Sequence, residues 1–187
     1  MMRLFVSLLV FVVLYACQAL GQQDALGHLR LKDRLDRPTD GYCLDILGVG
    51  QSLRVDVPIF AHNCKPRLTP DSKVKIRVDG RISFPDVGLC ITAFGVNGRA
   101  LPGSPIILRP CGDRAPFFEA GPLQAFELKE DGRIVLEATD LCLAVGEMSD
   151  ATYSAQDRWR VLSVQHCRDT PAKYLAWEFS TGPFPER

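Results

Sequence analysis

The feature that most narrows what this chain can fold into is a cysteine pair that recurs three times. Cys43, Cys90 and Cys142 are each followed by an aliphatic residue, Leu44, Ile91 and Leu143. A second cysteine follows 21, 21 and 25 residues later, at Cys64, Cys111 and Cys167. The likeness extends past cysteine. Pro58-Ile59 and Pro105-Ile106 each begin six residues before the second cysteine, and Asp79-Gly80-Arg81-Ile82 recurs as Asp131-Gly132-Arg133-Ile134. Ile82 and Ile134 both stand eight residues before the next cysteine. Leu35 stands eight before Cys43, with Lys32-Asp33-Arg34 ahead of it. A fixed period of this size marks one supersecondary unit repeated. The copies are expected at about 28–81, 82–133 and 134–182, one domain over 28–182.

Each copy reads as short strands between turns. Val55 to Ala61, Ser104 to Arg109 and Trp159 to Gln165 are rich in β-branched and bulky apolar residues. Val74-Lys75-Ile76, Phe126-Glu127-Leu128 and Trp177-Glu178-Phe179 alternate apolar and charged, as half-buried strands do. The two Asp-Gly pairs supply hairpin turn chemistry. No window of useful length repeats at the helical period. Asp36 to Asp40, with Pro38, reads as a turn, and Pro183 and Pro185 predict a loose C-terminal tail. One copy has too little apolar surface to fold alone. Three copies about a pseudo-threefold axis share one core and leave few strand edges exposed. The expected class is all-β.

The N-terminus carries Arg3, an apolar run from Leu4 to Tyr15 and Ala19-Leu20-Gly21, a small-x-small cleavage site. Residues 1–21 are therefore expected to be a signal peptide, leaving Gln22 first in a secreted product. Leu14-Tyr15-Ala16-Cys17 also resembles a lipobox, which makes a lipid anchor on Cys17 the competing expectation, although Tyr15 fits that motif poorly. The run is too short to span a bilayer comfortably, and no later segment is membrane-spanning. Of seven cysteines, only Cys17 lies in the leader. The other six suggest three disulfides in an exported chain. Pairing within each copy gives Cys43–Cys64, Cys90–Cys111 and Cys142–Cys167, one of fifteen linkages open to six cysteines. Formal net charge is zero, which removes the field that attracts nucleic acid. No Asn-x-Ser/Thr sequon is present.

Taken together, these motifs resemble the ricin B-type lectins, whose repeat carries Cys-Leu-Asp, a second cysteine, Gln-x-Trp and Asp-Gly-x-Ile. Here they stand as Cys43-Leu44-Asp45, Cys64 and Asp79-Gly80-Arg81-Ile82 in the first copy. The second has Cys90, Cys111, Gln124-Ala125-Phe126 and Asp131-Gly132-Arg133-Ile134, and the third Cys142, Cys167 and Leu175-Ala176-Trp177. The resemblance covers residues 28 to 180. It implies a β-trefoil with one intra-repeat disulfide per copy, and it places Phe126 and Trp177 in the core.

It also implies a shallow sugar pocket in each copy. An aspartate after Cys-Leu accepts hydrogen bonds from vicinal hydroxyls, a ring two residues before the second cysteine underlies the sugar, and a polar residue before Gln-x-Trp closes the rim. In the first copy these positions hold Asp45, His62 with Asn63 beside it, and Asp71, with Ser72 where Gln would stand. In the second they hold Thr92, Arg109 and Leu123; in the third Ala144, Gln165 and Tyr174. Only the first copy keeps its carboxylate. The implied function is non-covalent binding of a glycan or glycoprotein at Asp45, His62, Asn63 and Asp71. The alternative is a trefoil that has lost sugar binding and serves as a protein-interaction or inhibitory scaffold, which two decayed copies favour. The longer third copy, with Tyr153 and Trp159, is a plain insertion or a separate binding surface. His28, His62 and His166 have no metal-ligand spacing, and no nucleophile motif or phosphate loop occurs, so neither catalysis nor a cofactor is expected.

Overall fold

The computed structural model describes residues 25–184, so the leader and Cys17 lie outside the described residues. Fifteen strands carry the chain: β1 Leu26–Leu31, β2 Tyr42–Asp45, β3 Phe60–Asn63, β4 Val74–Ile76, β5 Ile82–Phe84, β6 Leu89–Ala93, β7 Gly95–Val96, β8 Arg99–Ala100, β9 Ile106–Pro110, β10 Phe126–Leu128, β11 Ile134–Leu136, β12 Leu141–Val145, β13 Asp150–Ala151, β14 Arg158–His166 and β15 Trp177–Ser180. One helical turn, α1 Ala120–Gln124, precedes β10.

Six strands close a barrel. Successive copies join through Ile76↔Ile82, Leu128↔Ile134 and Phe179↔Leu29, three antiparallel pairs at one equivalent position. Within a copy the first and last strands meet at Gly27↔Val74, at Gly80, whose carbonyl accepts from the Phe126 amide at 3.0 Å, and at Gly132, whose carbonyl accepts from Trp177 at 2.7 Å. Glycine is required at these crossings. Gly80 and Gly132 have φ of +75° and +94°, and a Cβ there would lie 2.9 and 2.6 Å from the carbonyl oxygens of Phe126 and Trp177.

Three hairpins cap the barrel, β2–β3, β6–β9 and β12–β14. Their register is the same, because Cys43, Cys90 and Cys142 face His62, Arg109 and Gln165, each two residues before the second cysteine. The extra four residues of the third copy lie in the loop at its hairpin tip. Disulfides link Cys43–Cys64, Cys90–Cys111 and Cys142–Cys167, with Cα separations of 4.8–5.0 Å. Leu29, Leu31, Val74, Ile82, Phe84, Phe126, Ile134, Leu136 and Trp177 fill one continuous core. Trp177 is wholly buried and donates its indole N–H to the Leu143 carbonyl at 3.0 Å.

Three expectations need correction. Leu35 is not the counterpart of Ile82. Leu29 is, at 14 residues before Cys43 rather than eight, so the first copy carries six extra residues between β1 and β2. Leu35 lies in that insertion at φ +51°. Val55 to Val57 are turn residues, and the strand begins only at Phe60, since Pro58 has no amide for the ladder. The C-terminal segment is docked as far as Phe184. That ring is 6% exposed, packs on the Cys43–Cys64 disulfide and lies 4.9 Å from the His28 ring, with the Arg30 guanidinium 4.7 Å from its centroid.

Candidate functional site

Strand β2 places Asp45 at its end, and the turn before β4 places Asp71. Both carboxylates converge on the ammonium of Lys65. Asp45 accepts from Nζ at 2.7 Å, and Asp71 accepts a second, shorter hydrogen bond. The two aspartates are buried and Lys65 is half-buried, so Lys65 is the member of the cluster that meets solvent. Burial pushes the Asp45 carboxyl up to about 8, against the pull of Lys65 and with the repulsion of Asp71. Near pH 7 the Asp45 carboxyl thus keeps a proton while it lies against the ammonium. Beneath them His28 is buried, its Nε2 3.3 Å from Ser72 Oγ. Burial and the Lys65 charge bring the imidazole down to about 4, so it is neutral near pH 7. The sequence reading missed Lys65, whose only signal was two aspartates at positions that the fold buries.

The equivalent positions of the other copies are filled without charge. In the second, buried Gln124 donates Nε2 to Thr92 Oγ1 and to the Pro110 carbonyl, both at 3.0 Å, and accepts from the Gly112 amide at 2.7 Å. In the third, Ala144 packs against Leu175 and the Cys142–Cys167 disulfide.

Asp45 and Asp71 are the predicted residues that the fold brings together. His62 shares the outer face with Asp45, but its Nε2 lies 3.3 Å from Thr152 Oγ1 and its partner on β14 is Trp159, so it leans toward the third copy. Asn63 lies on the opposite face and is fully buried. Its amide donates to Asp40 at 2.8 Å, and its oxygen accepts the Arg158 amide at 2.5 Å. It belongs to a polar lock between the first-copy insertion and the third-copy hairpin. Asp36 in that insertion accepts from Arg160 at 2.5 Å, Ser149 at 2.6 Å and Tyr42 at 2.8 Å. These bonds outweigh burial and hold its carboxyl well below the usual carboxylate range. Arg160 in turn donates to the Gly146 and Glu147 carbonyls and lies over the Tyr42 ring.

No family model and no curated protein matches the sequence. Solved structures do match. An agglutinin from Abrus precatorius superimposes with a TM-score of 0.59 at 18% identity, over 86% of this chain and 49% of that one. The chain has the β-trefoil fold. It spans about half the length of the Abrus agglutinin. The mdaA-1 domain matches this trefoil with a TM-score of 0.59 at 16% identity, over 83% of this chain and 89% of that one. The β-trefoil lectin of the Vibrio vulnificus hemolysin/cytolysin, solved with N-acetyl-D-lactosamine bound, matches with 0.53 at 13% identity, over 88% and 98%.

The trefoil also carries a groove of about 620 Å³ where the three hairpin tips meet. Pro58 and Phe60 come from the first copy, Pro105 from the second, and Tyr153, Trp159 and Val161 from the third. Phe60 and Trp159 meet edge to face, with centroids 6.1 Å apart. Tyr153 is 84% and Val161 52% exposed. The Thr152 hydroxyl at its edge donates to the Asp157 carbonyl at 3.2 Å. Among the described residues, no group of three metal-ligating side chains occurs, and no helix is long and apolar enough to cross a membrane.

Proposed function

We propose that the chain is a secreted lectin-like module that binds a saccharide non-covalently on the first copy of the trefoil. The observation that carries this reading is the convergence of Asp45 and Asp71 on Lys65, a charged group at the family's pocket position in the first copy alone. An ammonium has three N–H donors, and the two aspartates take two of them. The third is left for a sugar hydroxyl. Asp45 and Asp71 then act by positioning the ammonium, and His62 forms the flank toward the third copy. Asn63 serves this site only through the hairpin it secures. The fold shared with a lectin solved with a disaccharide supports the same class of ligand. Secretion fits three disulfides, which persist in oxidising compartments.

One shallow site implies weak binding, about −4 kcal/mol at a millimolar dissociation constant. The test is therefore a dense glycan array that recovers affinity through multivalent display. The mature protein should bind a subset of glycans. The triple variant Asp45→Ala, Lys65→Met, Asp71→Leu replaces the cluster with apolar groups, should stay folded by circular dichroism, and should bind none of them. Glycan binding that survives in the folded triple variant would overturn the reading, as would no binding by the parent protein.

A further inference from the structure

We infer that the groove at the hairpin tips is a protein-docking site for an aromatic or branched aliphatic side chain flanked by lysine or arginine in an exposed segment of a partner. Its volume lies in the range of ligand pockets. Its walls are prolines, aromatic rings and aliphatic side chains, with few groups to meet the hydroxyls of a saccharide, which would be stranded there. The shape is also preformed. The hairpin bearing Tyr153 and Trp159 is anchored by Arg160 to Asp36 and by Arg158 to Asn63, so little ordering remains to oppose binding.

Charge selects the occupant. Asp150 is exposed and is the register partner of Trp159 on β14, and Glu147, also exposed, stands at the start of the same hairpin segment. Of the two cations of this hairpin, Arg160 is paired with Asp36, and Arg158 is turned to the Ser149 carbonyl and hydroxyl at 2.9 and 3.0 Å. On the opposite wall Asp56 is matched by Arg54 at 2.8 Å. The rim is therefore net acidic, which favours basic flanks and disfavours an anionic lipid surface. An open groove suits a side chain whose backbone stays in water. The two segments that are longer than their counterparts in the other copies, 32–41 and 146–158, build and brace the same wall.

The groove adjoins the Lys65 cluster, since Phe60 pairs in register with Asp45, but Asp45, Lys65 and Asp71 do not line it, and the inference stands without the saccharide reading. A phage library of random dodecapeptides panned on the mature protein, with Val161→Arg as counter-selection, tests it. Val161 is half exposed, so the variant should keep the parent's near-ultraviolet circular dichroism. Selected peptides should carry an aromatic or branched aliphatic residue with Lys or Arg within two positions. They should shift Trp159 emission to the blue, and bind Val161→Arg and Tyr153→Ala at least tenfold more weakly. Glu147→Lys with Asp150→Lys should weaken them severalfold at low salt and little at high salt. The Asp45/Lys65/Asp71 triple variant should bind them unchanged, and Val161→Arg should keep glycan binding. Three results would overturn the inference: no peptide sensitive to Val161→Arg, sensitive peptides without basic flanks, or competition by a saccharide for the groove.

Discussion

Three copies of one unit solve the same packing problem in three ways. Where the first encloses two carboxyl groups around an ammonium, the second encloses an amide with every bond satisfied, and the third an alanine against a disulfide. The backbone register around them is the same. The scaffold therefore dictates that the position be filled and leaves the chemistry free. A charged filling is the costly choice, because each ion must be desolvated and returns that cost only through its partners. Its retention in one copy alone is what argues for use.

The sharpest way to break this comparison is to unbalance the charged copy. Lys65→Met leaves Asp45 and Asp71 buried without their cation and should destabilise the fold by about 3–5 kcal/mol. The apolar triple variant should regain most of that loss, as the third copy does with Ala144. Urea denaturation of both proteins measures the difference. Equal stability of Lys65→Met and the parent would mean that the cluster is solvated and the contrast between copies unreal. The second copy should suffer less from a comparable cut. Gln124→Ala strands the Gly112 amide and the Pro110 carbonyl, and should cost about 1–3 kcal/mol in the same assay.

The pH dependence separates the charged copy from the others without mutation. Asp45 holds a proton in the folded state up to about 8 but loses it near 3.8 when unfolded. Its contribution is thus complete below 3.8 and is lost as pH rises to 8. His28 stays neutral when folded down to about 4 but gains a proton below 6.5 when unfolded, so its contribution falls as pH drops from 6.5 to 4. The two slopes oppose each other between about 4 and 6.5, where stability should be nearly flat. Above 6.5 only Asp45 acts, and stability should decline by about 1.4 kcal/mol per pH unit toward pH 8, about 2 kcal/mol in all. Melting temperatures across pH 4 to 8 measure this. Asp45→Asn should abolish the alkaline decline and expose a rise with pH between 4 and 6.5.

What was legible in the sequence was what the barrel and hairpins impose on every copy. Cysteines at a fixed register and apolar residues alternating with charge recur because the same backbone recurs. Residues with no fixed place in the repeat were illegible. Lys65 completes its cluster from a loop, so two aspartates 26 residues apart gave no hint of a shared cation. Asn63 had the right neighbours in sequence but the wrong side of the strand, since adjacent residues face opposite ways. The groove was legible only in part: Tyr153 and Trp159 stood out in the longer third copy, but Pro58, Phe60 and Pro105 join them only in the fold. Leu35 misled because an insertion put an aliphatic residue at the expected spacing by coincidence. The true counterpart of Asp79-Gly80-Arg81-Ile82 is Leu26-Gly27-His28-Leu29, where only the glycine is kept and the apolar type of the last residue survives.

That comparison yields the smallest effect expected here. The aspartates of the motif, Asp79 and Asp131, each accept from the amide two residues on and pair with the arginine side chain there, as Asp131 does with Arg133 at 3.0 and 2.7 Å. The first copy has Leu26 there and closes its barrel strand through Gly27 all the same. The aspartate, the loudest letter of the motif, is therefore nearly dispensable, while the glycine is not. Asp131 is exposed, so Asp131→Ala should lower the melting temperature only slightly, as the loss of exposed ion pairs and local turn bonds does. Gly132→Ala, which drives a Cβ to within 2.6 Å of the Trp177 carbonyl oxygen at a positive φ, should cost several times more. Thermal melts of the two variants side by side measure the ratio. A larger loss for Asp131→Ala than for Gly132→Ala would show that the turn, and not the close approach of two backbones, is what the motif preserves.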